Sequence, residues 1–506
     1  MLSKKSLSGT AVAAAMALAL TACGGGTNGA GSSDTLTLGA LLAPSTFAAN
    51  AASWGNESPY LQAAYDTLLR ETPEAKIVPW LATSWSYDST KTVLTMKLRD
   101  DVTFTDGTKF DATAAAQNVL RIRDDKSSNK SYLDSIKDAK AVDPATLRIT
   151  LSQPDPALLH YLAQNAGLME SPKHFGASDE KTNPVGSGPY VLDTGATVAG
   201  SKYVFTKNPE YWAKDQQRFA KVVINVYSAQ AAVNALQGRQ IDGAQIDVDH
   251  LKQVEAAGYD VKVQQRDWTG LLLLDRKGKL NPALGKVGVR QAINHAIDRA
   301  AILKTVHGKG TLTGQVFPKN NPGYVAELEN RYPYDPAKAK ELLAEAGYPK
   351  GFTLQMPLIQ GVGNTSQFDL MKQYLGAVGI TVDYVPEPVN NLITDLVAGK
   401  FAASKMSLNQ DPTAWQTANV QIAPNAAFNP FHTQDPTVDK LLKAVRTGTE
   451  ATADEAAKQL NRHIVEQAWF APFYRVDTLY AIGKNVDVAL QSDNVVPYLY
   501  NYKPKA

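Results

Sequence analysis

The sequence predicts an α/β protein of two or three domains. Short apolar strand patterns alternate with capped amphipathic helices along most of the chain. A length of 506 residues exceeds one ordinary domain, and 44% hydrophobic residues suffice for sizeable cores. Residues 35–43 (TLTLGALLA) read as a buried first strand, and residues 60–70 have helical spacing. In TVLTMKLR, Val93, Thr95 and Lys97 alternate with Leu94, Met96 and Leu98, as in a half-exposed strand. Asp111 is placed to cap the helix that follows it. Strands at 139–142 and 146–151 meet at the turn signal DPAT, and residues 221–227 form another buried strand.

Beyond about residue 286 helices dominate. VRQAINHAIDRAAILKTV reads as one long amphipathic helix. In YDPAKAKELLAEAGY, Asp335 caps, Pro336 takes the first turn and Gly347 stops the helix. Thr452 to Glu455 has capping-box spacing. The strands FTLQMPLI, ITVDYV and AASKMSL lie between these helices, and no internal repeat is present.

The N-terminus has a different character. Lys4 and Lys5 precede the uncharged run AVAAAMALAL, which is shorter than the about 20 apolar residues of a membrane span. LTAC, ending at Cys23, resembles a bacterial lipobox, and GGGTNGAGSS has linker composition. A signal peptide over 1–22 is expected, then a lipidated Cys23 and a linker to residue 33. An ordinary signal peptide with an incidental cysteine is the alternative.

Composition and motifs exclude several function classes. Lys+Arg (51) and Asp+Glu (49) balance, which argues against nucleic acid as partner. A single cysteine excludes a disulfide framework and thiolate zinc sites. HExxH, GxxxxGK[ST] and GxSxG are absent, and the seven histidines are scattered. PVGSGPY looks like a nucleophile elbow, but Gly-Pro reads better as a turn into a strand. The missing motifs do not exclude an enzyme, because catalytic groups often converge only in space.

A series of blocks in order resembles one family. They are PWLATSWSYDSTKTVLTMKLRDDVTFTDGTKFDATA (79–114), NPVGSGPYVL, KNPEYW, VRQAINHAIDRAAIL, YDPAKAKELLAEAGY and DPTVDKLL. Together they resemble the family 5 extracytoplasmic solute-binding proteins, receptors of ABC importers for peptides, nickel chelates and some oligosaccharides. The resemblance implies an α/β, two-lobed periplasmic-binding-protein type II (cluster C) fold with an extra inserted subdomain in lobe one. The implied boundaries are 34–70, 184–276 and 478–506 for the lobe-one core, 71–183 for the subdomain and 277–477 for lobe two. RDWTGLLLLD and FYRVDTLYAI would be the two crossings. A monomer is implied, lipid-anchored on the outer face of the cytoplasmic membrane. It would trap a solute by hinge closure, hand it to permease subunits, be no enzyme and need no cofactor. A sensor or envelope factor without transport is the rival reading.

In peptide-binding relatives an Asp pins the ligand ammonium, and that position falls on Leu408. The Arg that holds the carboxylate in dipeptide binders falls near Leu358, and Thr413 stands where nickel-chelate binders offer a His. A free dipeptide and a metal site are therefore disfavoured. Longer or end-blocked peptides are expected, with neutral oligosaccharides as the alternative. The candidate contacts are Trp268, Trp415, Phe428 and Phe431 for stacking, and Asn409, Gln410 and Asn429 for neutral hydrogen bonds. Ser45 and Thr46, after the first strand, complete the set with Leu408. Each aromatic has core packing as its alternative role.

Overall fold

Two long strands, Asp260–Leu273 and Phe470–Ile482, run antiparallel through the centre of the molecule. The computed structural model describes residues 34–505, apart from 307–308, 361–364 and 410. The expected signal peptide, Cys23 and linker lie outside the described residues. The fold is α/β and two-lobed, and the two strands belong to both halves. Leu479 and Ala481 pack into a core with Leu236 and Ile246, whereas Leu271, Leu273 and Phe473 pack with Leu354, Met356 and Ile380. The crossing segments expected from sequence are thus hydrogen-bonded neighbours.

Around them runs a nine-stranded sheet. Its order is Ala403–Asn409, Asp260–Leu273, Phe470–Ile482, Gly243–Ile246, Thr35–Ala40, Lys221–Val226, Lys202–Lys207 and Tyr190–Leu192. Gly310–Leu312 pairs onto Phe470–Ile482 beside this path. A separate antiparallel sheet joins Ala82–Tyr87, Val93–Leu98, Thr146–Leu151 and Ile136–Asp143. The buried side of its alternation, with Leu94, Met96, Leu147 and Ile149, packs on Val119 and Ile122 of the helix Ala112–Asp124. Asp111 caps that helix by accepting from the amides of Thr113 and Ala114. Further along the chain, Phe352–Gln360 and Ile380–Pro388 form a parallel pair flanked by helices.

Four local expectations need correction. The first strand ends at Ala40, its last partner being Val226, and leaves Leu41 and Leu42 exposed. The helix expected over 60–70 is Ser58–Ala64, followed by an extended Tyr65 and a short strand, Leu69–Glu71. Its end is set from far away. The Gly188 amide donates to the Ala64 carbonyl at 3.0 Å, and a Cβ on Gly188 would lie 2.4 Å from the Ala64 carbonyl carbon. The long helix after residue 286 is two, Val287–Ala296 and Arg299–Lys304, because Ile297 is extended and Asp298 caps the second. Thr449, not Thr452, caps the helix Glu450–Glu466.

The segment 294–332 is tied to the strand Phe470–Ile482 by arginines that bind carbonyls. Arg299 donates to the Pro472, Asn294 and Tyr332 carbonyls at 2.7–3.0 Å. Arg475 donates to the Gln315 and Phe317 carbonyls at 3.1 and 2.7 Å. Burial pushes both guanidinium pKa values down to about 10, which leaves them charged at neutral pH.

The crossing strands come close together at Gly270, beside a register shift between Thr269 and Gly270. A Cβ there would stand 2.3 Å from the Ala471 carbonyl oxygen and 2.6 Å from the Pro472 Cα. Gly270→Ala is expected to destabilise the protein by about 2–3 kcal/mol, seen as a lower urea midpoint at unchanged slope.

Candidate functional site

A cavity of about 410 Å3 opens where the end of the strand Ala403–Asn409 faces the other half of the molecule. This strand and the chain after it supply one wall: Met406, Ser407, Leu408, Asn409, Asp411 and Pro412. The helix Ala414–Gln421 adds Gln416, Val420 and Gln421, and Phe428 and Ile393 complete that side. A capping box fixes the start of this helix. Thr413 accepts from the Gln416 amide, and the Gln416 side chain accepts from the Thr413 amide and hydroxyl. Gln416 is thereby held in the wall.

The opposing wall comes from distant parts of the chain. Trp54 and Gly55 follow the first strand, Tyr132 and Tyr161 come from the short helices Ser128–Leu133 and Leu158–Tyr161 beside the four-stranded sheet, Gln164 follows the second of these, and Asp493 and Asn494 follow the second crossing strand. A hydrogen-bond network lies behind them. Gln164 donates to Asp493 at 2.9 Å and to Glu71 at 3.4 Å. The Tyr498 hydroxyl donates to Glu71 at 3.2 Å and accepts from the Trp54 indole at 2.9 Å. His160 Nδ1 lies 2.7 Å from Glu71. Burial raises the pKa of both Glu71 and Asp493, and the charge of Glu71 raises that of Asp493 further. Burial holds the pKa of His160 below its usual value.

The structure brings some of the expected contacts together and disperses others. Leu408, Asn409 and Phe428 line the cavity. Trp268 does not: it is fully buried, pairs across the strands with Leu408, meets Phe470 edge-on at 5.6 Å and donates to Gln421 at 3.3 Å. It supports the wall from behind. Phe431 is packed in the same core. Asn429 is fully buried, accepting from Arg276 at 3.2 Å and donating to the Ile422, Ala423 and Thr433 carbonyls. Trp415 faces a separate groove, where the Arg446 guanidinium stacks on it at 4.8 Å. Ser45 and Thr46 lie outside the cavity lining; Ser45 is bonded to Glu57, and the Thr46 hydroxyl accepts from the Ala48 amide. Gln410 lies outside the described residues.

Sequence reasoning missed the second wall. Trp54, Tyr161, Gln164 and Asp493 share no local motif, and their only signal is position after strands and turns. Among the described residues, no three His, Cys, Asp or Glu side chains converge to hold a metal ion.

Comparison with known proteins gives a consistent match. The family described as bacterial extracellular solute-binding proteins, family 5 Middle, matches residues 76–428. The glutathione-binding protein GsiB of Escherichia coli O1:K1 is 27% identical over 451 residues, covering 83% of this chain and 85% of the relative. HbpA2 from Haemophilus parasuis superposes with a TM-score of 0.81 at 19% identity, over 93% of this chain and 100% of that one. The periplasmic binding protein DppA from Helicobacter pylori, in complex with the peptide STSA, gives 0.75 at 20% identity, over 93% and 98%.

The placement of Asn429 yields a test. Asn429→Ala strips Arg276 of a partner and leaves the Thr433 amide unpaired. A loss of about 3 kcal/mol in chemical denaturation is expected, without change in ligand affinity of the folded protein.

Proposed function

The chain belongs to the family 5 bacterial extracellular solute-binding proteins, and on that premise we propose that it captures a peptide or peptide-like solute for an ABC importer. The carrying observation is the 410 Å3 cavity whose two walls come from the two lobes. A ligand held there touches both walls, so its binding free energy favours the closed arrangement and closure follows by hinge motion. The volume suits a small solute, and the lining mixes aromatic rings with amides and carboxylates. Peptide chemistry is supported by the relatives, one named for glutathione and one holding a tetrapeptide. The rings of Trp54, Tyr132, Tyr161 and Phe428 favour an oligosaccharide as the second reading. Neither reading involves covalent chemistry.

Family members act outside the cytoplasm, and no helix among the described residues is long and apolar enough to cross a membrane. Cys23 supplies the anchor in this proposal: cleavage before it and lipidation would tether a monomer to the outer face of the cytoplasmic membrane, beside its permease. We assign lobe one to 34–70, 184–276 and 478–506, the inserted subdomain to 71–183 and lobe two to 277–477.

A thermal-shift screen against tri- to pentapeptides, dipeptides, oligosaccharides and nickel chelates tests the ligand class. A true ligand at about 100 times its Kd adds about 2.7 kcal/mol of stability. Oligopeptides are expected to raise Tm and shrink the radius of gyration in solution scattering; a shift with sugars alone would replace the peptide reading. Cys23→Ala is expected to abolish incorporation of labelled palmitate and release the protein from the membrane fraction.

A further inference from the structure

The lobe-one wall of the cavity carries a charge that the surrounding protein does not balance. Asp493 is half-buried in that wall. Its two oxygens accept from neutral amides, Gln491 and Gln164, both at 2.9 Å. It also hydrogen-bonds, side chain to side chain, with fully buried Glu71. Two carboxyls in that contact need a proton between them.

The charged and titratable groups facing this pair come from three places. His160, on the short helix Leu158–Tyr161, lies against Glu71, and burial favours its neutral form. Tyr498 and Tyr500, from the C-terminal segment, donate to the Glu71 carboxylate and carbonyl, and burial holds both phenols protonated. Arg70 adjoins Glu71 in sequence but is turned away, stacking on Trp80 and Tyr500 and lying 3.8 Å from Asp66. From the other lobe, Asp411 adds a second carboxyl to the lining, and no Lys, Arg or His occurs among the described lining residues. A desolvated carboxylate without a cation is costly. The wall is therefore built to receive a positive charge.

We propose that the cavity selects ligands bearing a protonated amine or guanidinium, docked on the lobe-one wall at Asp493, and that docking expels the proton shared by Asp493 and Glu71. This rests on the ligand-capture reading of the cavity and does not require the ligand to be a peptide. The balance is one for one: the ligand cation enters, the carboxylic O–H of the pair breaks, and its proton passes to water. Because the free site holds a proton that the complex lacks, affinity for a guanidinium rises with pH until the free pair ionises and is flat above that, whereas a peptide α-amine loses its own proton at about pH 8 and binds more weakly beyond it.

The test is isothermal calorimetry on the full-length protein with trialanine, N-acetyl-trialanine and agmatine, in two buffers of different ionisation enthalpy. Trialanine or agmatine is expected to bind with release of a proton, about tenfold more weakly for each pH unit below the pair's pKa. N-acetyl-trialanine is expected not to bind. Asp493→Asn should weaken the cationic probe at least about tenfold. Glu71→Gln, which removes the like charge beside Asp493, should restore tighter binding at acidic pH. That variant and the buffer dependence of the wild type decide the matter even if Asp493→Asn folds poorly. Equal binding of the acetylated peptide, no proton release, or an unchanged Asp493→Asn affinity overturns the proposal. If agmatine binds through Asp493 while trialanine does not, the amine selectivity stands and the peptide reading falls. If neither cationic probe binds, the amine proposal is overturned, while sugars or blocked peptides in the thermal screen still decide the ligand-capture reading.

Discussion

The whole arrangement depends on the antiparallel pairing of Asp260–Leu273 with Phe470–Ile482. These strands are the continuous hydrogen-bonded structure shared by both lobes, and both cavity walls are referenced to them. The strand Ala403–Asn409 pairs with the first from Asp267↔Asn409 to Leu273↔Ala403 and so carries Leu408 and Asn409 to their places. The second leads on to Asp493 and Asn494. A pair of strands can twist between two bodies without losing its ladder, which is what a two-lobed binder needs at its hinge.

Trp268 shows how the pairing organises the site. Successive side chains of a strand point to opposite faces. The indole is packed under the wall and holds Gln421, which also donates to the Asn409 carbonyl at 3.3 Å. The polar rim of the cavity is thus braced by an aromatic that never meets its contents. The carbonyl-bound arginines do similar work in lobe two. Main-chain acceptors fix their geometry without adding negative charge.

Much of the scaffold is legible in the sequence because its causes are local. Asp111 and Asp335 cap as expected, and the alternation of residues 93–98 gives the observed strand. What escapes has long-range causes. Nothing within residues 58–70 shows that Gly188 will take the Ala64 carbonyl and end the helix. The break at Asp298 is hidden because the apolar spacing continues across it. The site is only half legible. Residues after one strand, such as Leu408 and Asn409, can be located along a chain. Gln164 and Asp493 meet only because the fold brings together segments 329 residues apart. Residue type also misleads: Trp268, Trp415 and Phe431 have the chemistry of ligand contacts, but the side of the element they occupy decides their role.

The groove outside the cavity holds one further lesson. Arg446, stacked on Trp415, reaches across to the Pro154 carbonyl at 2.8 Å, and Lys91 reaches back to the Gly448 carbonyl. Each bond of a charged donor contributes about 1.5–3 kcal/mol, net of the ordering of its side chain. Two such bonds are weak beside the packed cores, so the clasp marks where these segments meet without locking them together. Because its acceptors are main-chain oxygens, the identity of the side chain at position 154 does not enter the bond, whereas position 448 is closed to change: a Cβ on Gly448 would lie 2.6 Å from the Ala444 carbonyl oxygen.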